Sequence, residues 1–214
     1  VSEAIDTVLF DLDGTLVDSV ELIMAAYRHT MQHCLGHVPP DDLWLAGLGT
    51  PLTKQLAEFA QDAEQHEQMR VTFRDYSNIH HDKAVRGYDG VVELLRELQR
   101  RAVKLALVTS KHRVGSLRAF RVAGLTGFFE VLVCADDVDR HKPDPLPVVR
   151  ALEGLGSSAS SALFVGDSPH DMVAGRRAGV STAAACWGPF ARSQLEPSQP
   201  DHWLQKPADL LELL

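Results

Sequence analysis

Short apolar runs rich in Val and Leu recur along the 214-residue chain, at 7–10, 103–108, 130–134, 162–165 and 180–185. Each is too short for a helix and reads as a strand buried on both faces. Between them the apolar residues switch to helical spacing. Residues 89–101 bring Val91, Val92, Leu94, Leu95 and Leu98 to one side, and similar patterns cover 113–123, 145–155 and 169–178. Such strand–helix alternation constrains the chain to an α/β fold, a doubly wound parallel sheet of Rossmann-like type with right-handed crossovers.

One segment breaks the alternation. From about 18 to 82 no strand pattern stands out, while Val20, Ile23, Tyr27 and Met31 recur at helical spacing. Further helices are expected near 51–61 and 62–80. Pro39-Pro40 ends the first, and Asp41-Asp42 suits a helix N-terminus. The organisation read from this is an α/β core domain of 1–16 and 84–214, with an inserted α-helical cap domain of 17–83.

Ligands of open parallel sheets bind beyond the C-terminal ends of the strands. The polar residues just after each apolar run therefore define a rim. The first run gives Asp11 and Asp13, the second Thr109 and Ser110. The third is followed after a loop by Lys142, and the fourth by Asp167 and Asp171. Asp13-Gly14 alone would read as a turn. Asp171 alone would read as a first-turn acid of a helix, and one of Thr109 and Ser110 as a helix cap.

Taken together, these acids form a hard-oxygen cage whose mutual repulsion calls for a divalent ion, and oxygen-only ligation suits Mg²⁺. Lys142 adds a positive charge. Thr109 or Ser110, with backbone N–H groups of the turn around Gly14, can donate to phosphoryl oxygens. The net charge of −8 argues against nucleic acid or an anionic membrane as partner. A local cation still admits an anionic substrate. Asp11, at the strand end beside the cations, is the candidate nucleophile. Asp13, expected farther from them, is the candidate to hold a proton near neutral pH and act as acid, then base.

The segments FDLDGTLVDS (10–19), VTSK (108–111), KPDP (142–145) and VGDSPHD (165–171) resemble, in order, the four motifs of the haloacid dehalogenase superfamily of phosphohydrolases. The resemblance implies an aspartyl-phosphate on Asp11 and proton transfer by Asp13. It implies phosphate binding by Thr109 or Ser110 and charge neutralisation by Lys142. Mg²⁺ would be held by Asp11, the Asp13 carbonyl and Asp167, with Asp171 in support. GLGTPL (47–52), AACWGPF (184–190) and PADLLELL (207–214) resemble the phosphoglycolate phosphatase and pyrophosphatase branch. The reading is a Mg²⁺-dependent phosphatase acting on a phosphate monoester of a small phosphorylated metabolite. An inorganic pyrophosphatase is the alternative, motivated by His80-His81-Asp82 near the end of the cap, and a sugar phosphomutase a further one.

Cys34, Cys134 and Cys186 are widely spaced without a CxxC pair, and the first residues lack a basic-then-apolar leader pattern. A cytoplasmic monomer or homodimer is expected. His29, His33 and His37 stand four apart, but the prolines end the helix near His37. They read as surface histidines.

Overall fold

The computed structural model describes residues 4–214; residues 1–3, placed with the core domain above, lie outside the described residues. Strand β1 (Thr7–Phe10) is followed by a two-residue strand β2 (Val17–Asp18). Four helices come next: α1 (Val20–Leu35), α2 (Asp41–Leu45), α3 (Leu52–Ala57) and α4 (Ala63–Ala84). Strand β3 (Arg86–Gly87) then pairs antiparallel with β2. The alternating part follows as α5 (Val91–Arg100), β4 (Lys104–Val108), α6 (Arg113–Ala123), β5 (Val131–Val133) and α7 (Leu146–Leu155). It closes with β6 (Ala162–Gly166), α8 (Pro169–Ala178), β7 (Ser181–Ala185), α9 (Arg192–Leu195) and β8 (His202–Leu204).

The main sheet is fully parallel, in the order β5-β4-β1-β6-β7-β8. Strand β1 lies inside it, with Phe10 opposite Leu107 on β4 and Val165 on β6. Alternate residues divide between the two faces, as the pleat requires. Val8, Phe10, Leu105, Leu107, Leu163 and Val165 pack with Leu94, Leu95, Leu98 and Phe120. Leu9, Ala106, Val108 and Phe164 pack with Val148, Ala151 and Leu152 on the other side. The helical face read from 89–101 holds, with Val92 only partly buried.

The inserted helices have their own core. Tyr27 stacks on Trp44 at 4.7 Å between ring centres, Trp44 on Phe73 at 5.6 Å, and Met24, Met31, Leu56 and Met69 fill the rest. Helix α4 runs four residues beyond the expected end at 80, because neither Gly nor Pro intervenes before Gly87. Helix α3 stops at Ala57, before the expected 61, as the chain tightens into i→i+3 bonds at Glu58 and Phe59. The closing PADLLELL segment is a 3₁₀ turn over Pro207–Leu213. Helix α1 ends at Leu35 with Gly36 in the left-handed conformation, so His37 lies outside it. His29 and His33 stack beside Tyr76 on its surface.

Candidate active site

The chain leaves β1 into a tight knot. The carbonyl of Leu12 accepts from Thr15, Leu16 and Val17, and Gly14 N–H donates to Val17 at 2.9 Å. Gly14 has φ +86°, and a Cβ there would lie 2.4 Å from Asp167 Oδ2. Only glycine admits both the backbone and the approach. The Thr15 hydroxyl donates to Asp167 at 2.7 Å, and Trp187 Nε1 donates to the Thr15 carbonyl at 2.9 Å. The turn is thus fastened to the segments after β6 and β7.

Lys142 is 2% exposed. Its ammonium lies 2.8 Å from Asp11 and 2.5 Å from Asp171, and donates to the Val108 carbonyl at 3.3 Å. Asp171 also closes a capping box on α8, accepting from the N–H and hydroxyl of Ser168 at 3.0 and 2.6 Å. Asp171 is thus the first-turn acid of α8 and, in the same side chain, a neighbour of Lys142 and Asp11. Asp11, Asp167 and Asp171 each offer a carboxylate oxygen within 4.8 Å of the others.

Asp13 points elsewhere. It receives the Lys111 ammonium at 2.8 and 3.0 Å and the Ser19 hydroxyl at 2.6 Å. The hydroxyls after β4 also part company. Ser110 donates to the Gly49 carbonyl at 2.7 Å, while Thr109 accepts from Lys111 N–H at 3.2 Å and keeps its hydrogen. Neither caps α6, whose N-cap residue is His112.

The electrostatics differ sharply between the paired acids. Burial, opposed by Lys142 and reinforced by Asp171, pushes Asp11 up to about 7. Burial, with Asp171 and Asp11 beside it, holds Asp167 well above the ordinary carboxylate range. Asp13 is held below that range: burial would raise it, but Lys111 and Ser19 prevail. Lys142 is raised although burial opposes its charge, because Asp11 and Asp171 outweigh that effect. Asp13 does lie apart from Lys142, but a second ammonium that the rim reading left out, Lys111, grips it, so in the metal-free protein Asp11 and not Asp13 is the carboxyl that favours a proton.

Above Asp11 and Asp13 opens a cavity of about 450 Å³. Thr109, Ser110 and Lys111 line it from the sheet side, and Trp44, Gln55, Phe73, Arg74 and His81 from the inserted helices. Of the His80-His81-Asp82 group, His81 reaches this wall. Its Nδ1 lies 2.9 Å from Asp82, which Arg118 holds at 2.7 Å. His80 is exposed and lies against Tyr76. Lys111 and Arg74 were not singled out from the sequence, and Thr15 was read only as part of the turn, not as a partner of Asp167. Lys111 sits inside VTSK, two residues after Thr109, where the same rim argument would have reached it.

The family model of haloacid dehalogenase-like hydrolases matches residues 8–185. The chain is 37% identical over 211 residues to pyrophosphatase PpaX of Halalkalibacterium halodurans, covering 98% of this chain and 97% of that one. It is 39% identical over 210 residues to PpaX of Bacillus velezensis, covering 98% and 96%. Among solved structures, a protein of Lactobacillus plantarum provisionally assigned as a phosphoglycolate phosphatase matches with a TM-score of 0.82. The two are 28% identical, with 99% of this chain and 100% of that one covered.

Proposed function

The chain belongs to the haloacid dehalogenase-like hydrolases, and from that premise we propose that it is a Mg²⁺-dependent phosphohydrolase working through an aspartyl-phosphate on Asp11. The observation that carries this is the division between two neighbouring acids. Asp11 shares the buried Lys142 and the three-carboxylate cluster, while Asp13 stands apart on Lys111 and Ser19. Both face one cavity.

The cluster fits a divalent ion of hard-oxygen preference. Its acids are buried, their oxygens converge within 4.8 Å, and Lys142 is the only cation at hand among the described residues. Asp11, the Asp13 carbonyl and Asp167 would hold Mg²⁺ with Asp171 in support, and the ion would supply the positive charge that keeps Asp11 ionised and offsets phosphoryl charge. Lys142 holds Asp11 in place. An Asp11 oxygen attacks phosphorus, and the bond to the leaving oxygen breaks. Thr109, whose hydrogen is free to donate, binds a phosphoryl oxygen; the N–H groups of Gly14 and Thr15, expected as further donors, are spent within the turn on Val17 and Leu12, and Ser110, spent on Gly49, serves the inserted helices instead.

A bound phosphoryl dianion competes with Asp13 for Lys111, which lets Asp13 take up a proton. Asp13 gives that proton to the leaving oxygen. As a carboxylate it then takes one from the water that attacks the phosphoenzyme, returning Asp11 and releasing phosphate. The inserted helices act as a cap that keeps water out of the first step.

The substrate is a phosphate monoester of a small metabolite, of the phosphoglycolate type. A second reading, an inorganic pyrophosphatase, is favoured by the name carried by the two PpaX relatives. Phosphate release from 2-phosphoglycolate and pyrophosphate with Mg²⁺ tests both. Asp11→Asn is expected to lose about 10³-fold or more in kcat, and turnover retained in that variant overturns the mechanism. A preference of ~10² in kcat/KM, about 2.7 kcal/mol of transition-state discrimination, decides between the substrates.

A further inference from the structure

Among the described residues, three buried side-chain polar atoms lack a hydrogen-bond partner: Trp44 Nε1, Gln55 Oε1 and His81 Nε2. All three residues line the cavity above Asp11 and Asp13. Buried polar groups are ordinarily paired, so their concentration around one cavity marks a place where a ligand completes the bonding. Gln55 is also fixed in orientation, since its Nε2 donates to the Thr50 carbonyl at 2.9 Å.

Arg74, on α4, narrows the chemistry of that ligand. It is partly buried in the same wall. The cavity's other Lys and Arg side chains are matched, Lys111 by Asp13 and Arg118 by Asp82. Glu67, the carboxylate that favours the Arg74 charge, is held on two prongs by Arg70. Among the described residues no carboxylate pairs with Arg74 and no hydrogen bond engages its guanidinium. Burial and the neighbouring Arg70 both work against its charge. A guanidinium drawn partly out of water and left unpaired is unfavourable until an anion meets it.

We infer that Arg74 receives the leaving group of the substrate and selects one that is itself an anion. This rests on the proposed attack by Asp11 and adds what the far end of the substrate must be. The phosphoryl group lies toward Asp11, and the charged remainder faces the cap wall. There the Trp44 N–H offers that anion a further donor. Two sources share this chemistry: a phosphate ester of a short carboxylic acid, and pyrophosphate, whose leaving group is phosphate.

The test compares wild type, Arg74→Gln and Arg74→Lys on 2-phosphoglycolate, pyrophosphate and 2-hydroxyethyl phosphate, the uncharged counterpart of the first. Wild type should prefer an anionic leaving group. In R74Q, kcat/KM for that substrate should fall about tenfold or more, chiefly through KM, the scale of a lost charge-assisted contact. The uncharged substrate should stay within about twofold, and R74K should recover part of the loss. Whichever anionic substrate falls in R74Q identifies the source. An equal loss on all three substrates, no loss on either anionic one, or a wild-type preference for the uncharged ester overturns the inference. Asp11→Asn run alongside separates the two proposals. Turnover that depends on Asp11 but ignores Arg74 removes the subsite alone, whereas turnover that survives D11N removes the reaction at Asp11.

Discussion

Lys142 keeps its charge where burial alone would take it away, because Asp11 and Asp171 stand on either side. Lys142→Met conserves length and removes the charge. A buried ion pair that loses one partner destabilises by about 3–5 kcal/mol, and the effect here carries a pH signature. In the metal-free protein the folded-state pKa of Asp11 already stands near 7, above its ordinary 3.8. Without the ammonium it moves higher. A carboxyl raised by folding binds more protons folded than unfolded, so stability falls as pH climbs from the unfolded value toward the folded one. The deficit of K142M is therefore expected to be larger at pH 8 than at pH 5 in urea unfolding with EDTA present, and an equal deficit contradicts it. Lys142 was legible in the sequence because it follows a strand run and precedes Pro143. Lys111 stood within reach of the same rim argument, but its partner was not legible, because nothing along the chain says that a side chain after β4 turns back across the rim to Asp13.

At the scale of elements, the loop 47–52 ties the inserted helices to the sheet. The Gly49 carbonyl accepts from Ser110, and its backbone has φ +95°. A Cβ there would lie 2.7 Å from Ser168 Oγ and 3.1 Å from Ser168 Cβ. Gly49→Ala is expected to lift the loop off the sheet and lower kcat/KM about tenfold, since the cap then closes poorly. Gly36→Ala is the control: φ is +77° and nothing stands within 4 Å of the added atom. It should lose about 1 kcal/mol or more of stability from backbone strain and keep its kcat/KM. Steady-state kinetics and thermal unfolding of both variants measure this; matching kinetic losses would show strain, not the Ser168 contact, to be responsible. Elements with strong periodicity were legible in the sequence. The two-residue strands β2 and β3 and the three-residue β8 were not. Segments so short have no period to read, and tertiary pairing alone makes them strands.

For the molecule as a whole, pattern predicts parallel strands but not their order. The order sets β1 between β4 and β6, and that is why Asp11, Lys142 and Asp167 converge from distant segments. From the same convergence we expect a stability that depends on pH and on the proposed metal. Burial raises Asp11 to about 7 and Asp167 well above 3.8, with Asp171 adding to both and Asp11 adding to Asp167. Without a cation, forcing both to ionise destabilises the fold as pH rises from about 4 through 7. A divalent ion binds the ionised forms and must displace their protons. Stabilisation by Mg²⁺ is thus expected to grow with pH, being small at pH 6 and large at pH 8. At a hundred times its Kd the ion adds about 2.7 kcal/mol, roughly 5–10 °C in Tm for a chain of this length. Asp167→Asn removes one proposed ligand and one raised carboxyl together. It should flatten the pH slope of the metal-free Tm and abolish most of the Mg²⁺ shift. Thermal unfolding of both proteins at pH 6 and 8, with Mg²⁺ or EDTA, checks it. A shift independent of pH, or one that survives in D167N, would place the ion somewhere other than between Asp11 and Asp167.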